Sequence, residues 1–407
     1  MQAFVIIGGG LAGHKAALEL RRLSDDAQIT LLGEEPGLPY DRPPLTKDFL
    51  LGEIDEAGLT LSNAENYEQK KIDFRAGVRA TRVDRGARIV ATADGATLSY
   101  DKLLLATGSR VRKMPLEGER ENLHYIRTLD DAKRIRSALG QGARVTVVGG
   151  GFIGLEVAAA ARSLGCDVTV VEARDRLLSR GMPRLVSDYI EGVHRENGVD
   201  VMLASVPGSI VAEGPRQLRL NLPDGSLVSD VVIVGIGIVP NTELASEAGL
   251  EVENGIVVDA QCRTSDPDIF AAGEVTRHPS GPSGQLRRIE SWRHAGNQAA
   301  IAAASMLGED VAFDDPPYLW SDQYDLNIQS LGDPLAGTRQ LLHRAAKSDG
   351  WTLVSVNDAM QPMGAVAINN GRDISMLRRV ILKGGRLPES FVDECEAVRL
   401  SSEDAVG

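Results

Sequence analysis

Two glycine clusters, each followed by a strand that ends in a carboxylate, are the parts of this sequence best equipped for chemistry. Gly8-Gly9-Gly10-Leu11-Ala12-Gly13 follows the apolar run Val5-Ile6-Ile7. The echo Gly149-Gly150-Gly151-Phe152-Ile153-Gly154 follows Val147-Val148, 141 residues later. In each, the first glycine permits a tight turn, the second lets backbone approach a pyrophosphate, and the third allows helix to pack on strand. An alanine-rich stretch follows each cluster and predicts a helix whose free N–H groups face the phosphates. The next strands, Ile29–Leu32 and Val168–Val171, end at Glu34 and Glu172. A carboxylate there accepts hydrogen bonds from ribose hydroxyls. Two complete strand-loop-helix-strand-acid units predict two dinucleotide sites.

Other runs supply the framework that positions them. Tyr100–Gly108, Val231–Gly237 and Asp268–Glu274 each read as a buried strand leading to a glycine turn, and Gly296–Met306 reads as a helix. Pro115 and Gly118 mark a crossing within 110–122, Pro240 a return, and Pro316-Pro317 a boundary. Beyond it, alternating apolar runs such as Trp351–Val356 predict a small α+β domain, with Ser401–Gly407 as a loose tail.

Composition narrows the class. With 44 Lys and Arg against 57 Asp and Glu, the net charge of −13 argues against a nucleic-acid binder. Cys166, Cys262 and Cys395 form no CxxC pair, no disulfide framework and no iron–sulfur ligand set. No basic leader or apolar stretch of about 20 residues is present, so a cytoplasmic protein that spans no membrane is expected.

These blocks, with three more, resemble the FAD-dependent, NADH-utilising ferredoxin reductases of bacterial aromatic-ring dioxygenases and cytochromes P450, the putidaredoxin-reductase-like family. The further blocks are Pro39-Tyr40-Asp41-Arg42-Pro43-Pro44-Leu45-Thr46-Lys47, then Gly154-Leu155-Glu156, then Ala271-Ala272-Gly273-Glu274 with Glu290-Ser291-Trp292 and Trp320-Ser321-Asp322-Gln323. Disulfide reductases of this fold carry a CxxxxC pair in the region of the second block, whereas this chain has no cysteine before Cys166. The resemblance implies an α/β, glutathione-reductase-like flavoprotein with two Rossmann-like domains and a small α+β C-terminal domain. Residues 1–113 and 238–315 would form the FAD domain, 114–237 the NADH domain and 316–407 the C-terminal domain. The implied activity passes electrons from NADH through FAD to a small [2Fe–2S] ferredoxin, Rieske-type or thiolate-ligated, that serves a terminal oxygenase. The protein would be a monomer or weak homodimer. Two alternatives stay open: an NADH oxidase, rubredoxin reductase or diaphorase of the same fold, and a non-enzymatic NADH-responsive flavoprotein.

The resemblance also assigns residues. FAD would be held by Gly8, Gly10, Leu11, Ala12, Gly13, Glu34, Arg42, Lys47, Ala106, Thr107, Gly108, Gly273, Glu274, Ser291, Trp292 and Trp320. Gly151, Ile153, Gly154, Glu156, Glu172 and Gly237 would serve NADH. Arg42 suits a pyrophosphate because its fork donates paired hydrogen bonds. Lys47 and Glu156 are the catalytic candidates, an ion pair beneath the flavin in the family and a structural salt bridge on the plainer reading. A cation near flavin N5 favours the reduced, anionic ring. Glu172 would repel a 2′-phosphate and select NADH, although Arg174 lies close in sequence. The family's usual Asp is Glu274 here, and its usual Asn is His294, which reads as a polar core or flavin-edge residue. Trp320 reads equally as a border of the electron exit or as a packing anchor. Arg287, Arg288 and Arg293, with Arg339 or Arg344, would guide an acidic ferredoxin.

Overall fold

The computed structural model describes residues 2–114, 121–214, 216–281 and 284–398. Part of the expected 110–122 crossing, and the whole Ser401–Gly407 tail, lie outside them. The chain divides into two compact units. The first gathers the described residues of Met1–Asp41, Glu56–Arg110 and Ile238–Asp315. The second gathers those of Arg42–Asp55, Val111–Gly237 and Pro316–Gly407. The short Arg42–Asp55 segment thus packs with the second unit, although the chain on both sides of it belongs to the first.

The first unit is built on five parallel strands in the order Ile269–Ala271, Lys102–Leu105, Ala3–Ile7, Gln28–Leu32 and Ile72–Arg75. Both faces are covered, which is why the central strand reads as an unbroken apolar run. Phe4 and Ile6 point into a layer formed by Ala16, Ala17 and Leu20 of the helix Leu11–Leu23 and by Ala299, Ala302 and Ala303 of the helix Trp292–Met306. Alanines along this seam let two helices and a sheet approach closely. Val5 and Ile7 face the opposite layer, with Val83, Val90, Leu103 and Leu105. The helix expected from Gly296 starts four residues earlier because the Ser291 hydroxyl caps it, accepting from the His294 N–H.

The second unit repeats the plan. Its parallel order is Asp200–Met202, Asp167–Val171, Arg144–Val148, Val231–Val234 and Leu123–Tyr125. The helix Phe152–Ser163 is buried from Gly154 to Ala161, and this run includes the charged Glu156. From Pro316 onward the unit continues as a six-stranded antiparallel sheet, opening with Tyr318–Gln323 and Leu326–Gly332. The helix Gly371–Leu382 covers one face, packing Ile374 and Leu377 against Val354, Val356, Ala365 and Ala367.

Three histidines of the first unit are buried. His278 and His294 stack with ring centroids 4.6 Å apart, and both meet the edge of Phe313. Burial pushes His278 down to about 4 and His294 to about 3. His14 faces the Tyr67 hydroxyl at 2.6 Å and is lowered to about 4, by burial first and by Lys15 second. Between pH 6.5 and those values the unfolded chain binds protons that the folded chain refuses, so stability falls as pH drops through that window. The melting temperature is expected to decline steadily from pH 7 to pH 4 in thermal melts, and His294→Asn to flatten the decline. An identical slope in the variant would show that His294 carries none of it.

Candidate functional site

Both glycine loops have the geometry that a dinucleotide requires. Gly8 and Gly149 adopt φ of +124° and +112°, and a Cβ there would lie 2.1 Å from the Ala106 carbonyl oxygen and 2.4 Å from that of Gly235. Such positions admit only glycine. A Cβ on Gly13 or Gly154 would strike the carbonyl oxygen of Gly8 or Gly149, at 1.9 and 2.1 Å. Gly10 and Gly151 differ, since a Cβ there would meet nothing within 4 Å. They are also the N-terminal caps of their helices, and neither offers a side chain to the first free N–H groups. An open cradle in front of an uncapped helix start fits the pyrophosphate of a dinucleotide in each unit.

The strand-end acids are placed differently. Glu34 is 69% exposed and has Arg79 3.6 Å away, so its carboxylate is accessible to a ribose. Glu172 is already engaged: Gly150 N–H donates to Oε2 at 2.7 Å and Arg174 N–H donates to Oε1 at 2.8 Å. The carboxylate therefore ties the glycine loop to the strand end, and Arg174 contributes its backbone to that clamp. Ile153, at the helix start, leaves a large apolar side chain 47% exposed beside the cradle.

In the first unit, Ala106 is buried under the Gly8 turn. Thr107 and Gly108 are fixed by Asn241, which donates to the Thr107 carbonyl at 2.9 Å and whose own carbonyl accepts from Thr107 Oγ1 at 2.7 Å. The Asn241 N–H completes the clamp on the Gly108 carbonyl. Gly273 adopts φ +88° with a Cβ direction aimed at Ala12, and its N–H donates to Gln298. Glu274 follows it, half-buried. Trp292 Nε1–H donates to Asp41 at 2.5 Å, and Leu11 is half-buried at the helix start.

In the second unit, Arg42 donates to the Arg127 carbonyl at 2.7 Å. Pro43–Thr46 forms one tight turn that delivers Lys47. Lys47 Nζ reaches Glu156 Oε1 at 3.0 Å, with the two side chains 11% and 4% exposed. Thr46 Oγ1 donates to Oε2 at 2.5 Å and Ser321 Oγ donates to Oε1 at 2.6 Å. Three donors, one of them charged, thus stabilise a buried carboxylate. Trp320, adjacent to Ser321, is half-buried and stacks near Tyr318 at 6.3 Å. Gly237 adopts φ +101° with Arg180 next to it.

The sequence had singled out Lys47 and Glu156, and the structure brings them together. It had quoted Thr46, Ser321 and Gln323 without giving them a task, and it had missed Asn241 and His194. Their roles are contacts between distant segments, which no local spacing signals. One expectation is corrected. Arg288 is not a solvent-facing docking cation: its side chain is 12% exposed and pairs with Glu290 at 2.6 Å. Arg344 pairs with Glu396 at 3.4 Å, while Arg339 is exposed. Cys166 and Cys262 are buried and Cys395 half-buried, and burial raises all three thiols, Cys395 to about 11. Among the described residues no group of three or more His, Cys, Asp or Glu is placed to hold a metal.

The chain is similar to known proteins over nearly its whole length. Residues 2–299 match the family Pyridine nucleotide-disulphide oxidoreductase, and residues 318–399 match Reductase C-terminal. The chain is 46% identical over 383 residues to the anthranilate 1,2-dioxygenase system ferredoxin–NAD(+) reductase component of Burkholderia cepacia, covering 94% of each. It is 38% identical to rhodocoxin reductase of Rhodococcus erythropolis, covering 93% of this chain and 89% of that one. Among solved structures it superposes on the covalent putidaredoxin reductase–putidaredoxin complex with a TM-score of 0.90 at 34% identity, covering 95% and 94% of the two chains. The ferredoxin reductase for the CYP199A2 system of Rhodopseudomonas palustris gives 0.91 at 32% identity, covering 97% and 98%.

The two loop geometries predict opposite outcomes for neighbouring glycines. Gly149→Ala meets a carbonyl oxygen and a strained φ, and is expected to destabilise the fold by ~1–3 kcal/mol or more. Gly151→Ala, facing open space, is expected to keep the melting temperature while weakening NAD+ binding at least tenfold by titration calorimetry. Equal melting losses in both variants would contradict the cradle.

Proposed function

The chain belongs to the pyridine nucleotide-disulphide oxidoreductase family, in its branch of FAD-dependent NADH:ferredoxin reductases, and on that premise we propose how its own residues divide the work. It is an NADH-dependent reductase that passes electrons through FAD to a ferredoxin feeding an oxygenase system. FAD, when bound, supplies acceptance of a hydride and release of electrons one at a time, which no side chain does as readily.

In this reading Gly8, Gly10 and Gly13 hold the FAD pyrophosphate and Glu34 its adenosine ribose. Ala106, Thr107, Gly108, Gly273 and Glu274 present backbone and carboxylate to the same cofactor. Gly151, Ile153 and Gly154 seat NADH. Glu172 orders the loop through Gly150 and sets negative charge where a 2′-phosphate would fall, so that NADH is preferred over NADPH. Lys47 and Glu156 are the residues that act on the reaction. The observation that carries this assignment is the buried Lys47–Glu156 pair, with the carboxylate fixed by two hydroxyls so that the ammonium is held in one place. A fixed charge acts without reorganising during the reaction. The three raised thiols weigh against the cysteine-based oxidases and peroxidases of the same fold.

The ferredoxin is read as a small [2Fe–2S] protein, Rieske-type or thiolate-ligated, and the reductase as a cytoplasmic monomer or weak homodimer. No helix among the described residues is long and apolar enough to cross a membrane.

Two measurements test the assignment. Lys47→Met and Glu156→Gln are each expected to slow NADH-driven flavin reduction about tenfold in stopped flow, equal to ~1.4 kcal/mol of barrier. Unchanged rates in both would reduce the pair to a structural salt bridge. The parent protein is expected to reduce its flavin at least tenfold more efficiently with NADH than with NADPH, and Glu172→Ala to narrow that ratio. Equal efficiencies in the parent would refute the role given to Glu172.

A further inference from the structure

The Glu156 carboxylate is the end of a longer chain of hydrogen bonds within the second unit. Ser321 Oγ lies 2.6 Å from Glu156 Oε1, and Gln323 Nε2 lies 3.1 Å from Ser321 Oγ. Gln323 Oε1 lies 2.9 Å from His194 Nε2, and Tyr324 OH lies 3.3 Å from His194 Nδ1. Ser321, Gln323 and His194 are 0%, 2% and 0% exposed, so water does not compete for these bonds.

The direction of every bond follows from the carboxylate. A carboxylate only accepts, so Ser321 must donate to it. Ser321 Oγ is then left to accept, and the amide nitrogen of Gln323 donates to it. The Gln323 carbonyl therefore faces His194 and requires a proton on Nε2. Nδ1 is then bare and accepts from the Tyr324 hydroxyl. Reversing any one bond would reverse the rest and leave Ser321 unable to donate to Glu156. The chain is a polar strut that acts only if all its members keep one orientation.

Its inner members lie on elements with different duties. Ser321 and Gln323 occupy the strand Tyr318–Gln323. His194 lies in the last turn of the helix Arg184–Glu196. That helix also carries Ser187, which with the Met182 carbonyl receives the buried Arg176 guanidinium at 2.8 and 2.7 Å. The segment bearing Arg176 touches the second glycine loop directly, through a hydrogen bond from Leu178 N–H to the Gly150 carbonyl.

We propose that Ser321, Gln323 and His194 are positioning residues for the Lys47–Glu156 pair, holding the carboxylate through a one-way series of donors that begins at the Tyr324 hydroxyl and passes through the helix Arg184–Glu196. This rests on the reading that the pair acts on the reaction. The strut fixes the Glu156 rotamer and, through it, the ammonium of Lys47. Its members move no proton along the series, because the Gln323 amide neither takes up a proton at its oxygen nor releases one from its nitrogen near neutral pH.

The test is a mutant series on the FAD-loaded enzyme, with three readouts: stopped-flow flavin reduction by NADH, flavin midpoint potential, and NAD+ affinity by titration calorimetry. Ser321→Ala and His194→Leu are each expected to slow flavin reduction about fivefold and to make the potential more negative. NAD+ affinity is expected to stay within twofold. His194→Gln, whose amide can donate in place of Nε2, is expected to recover most of the rate. The S321A/H194L double variant is expected to match Ser321→Ala alone, because a strut cut once is not cut further by a second break. Additive losses, or lower melting temperatures with unchanged rate and potential, would overturn the proposal. If Lys47→Met and Glu156→Gln slow the reaction but the strut variants do not, the strut alone is wrong. If none of the four does, the pair's role fails first and the strut with it.

Discussion

A charged carboxylate in an apolar interior is costly unless every lone pair is answered, and Glu156 is such a group. It sits within a helix whose neighbours are alanine, leucine and valine. Its desolvation is offset by an ammonium and two hydroxyls, which come from the Pro43–Lys47 turn and the strand Tyr318–Gln323. Those segments lie 109 and 165 residues away in sequence. The carboxylate therefore acts as a keystone for the second unit: removing one donor leaves a buried charge short of a partner. This also explains why the Arg42–Asp55 segment packs with the second unit although its flanking chain does not. The segment follows its lysine, and Phe49 packs beneath the Arg136 guanidinium at 5.4 Å to hold it there.

The same strand-turn-helix solution is used twice, and its repetition separates what the motif demands from what each site adds. Both loops need glycine where a carbonyl oxygen would otherwise be struck, and both leave the middle glycine open. They differ at the acid. Glu34 is exposed beside Arg79, whereas Glu172 is built into its own loop. The second cradle is thus held in shape by its own acid, while the first draws its rigidity from elsewhere, through Asn241 and Gln298.

Much of this was legible in the chain because it is local. Glycine spacing, apolar runs and a terminal acid all fall within a few dozen residues, and the physics that joins them is backbone geometry. The parallel sheets, the α+β character beyond Pro316 and the two candidate cradles follow from such signals. Lys47 and Glu156 were named through family resemblance, since nothing in their local spacing pairs them. The Asn241 clamp and the Ser321–Gln323–His194 series were illegible because each link is a tertiary contact between residues of ordinary type. Arg288 misled for the converse reason. A basic cluster in sequence looks like a surface patch until the fold turns one member inward onto Glu290.

The state of the thiols has a practical meaning for an enzyme of this kind. Oxidative damage to cysteine begins at the thiolate. In this protein Cys166 and Cys262 are sealed in the core and Cys395 donates its S–H to the Phe391 carbonyl at 3.1 Å, so all three stay protonated at neutral pH. The scaffold shares its ancestry with proteins that make a cysteine pair the centre of their chemistry. In this chain the three cysteines are held as buried or hydrogen-bonded thiols, the form least open to oxidation.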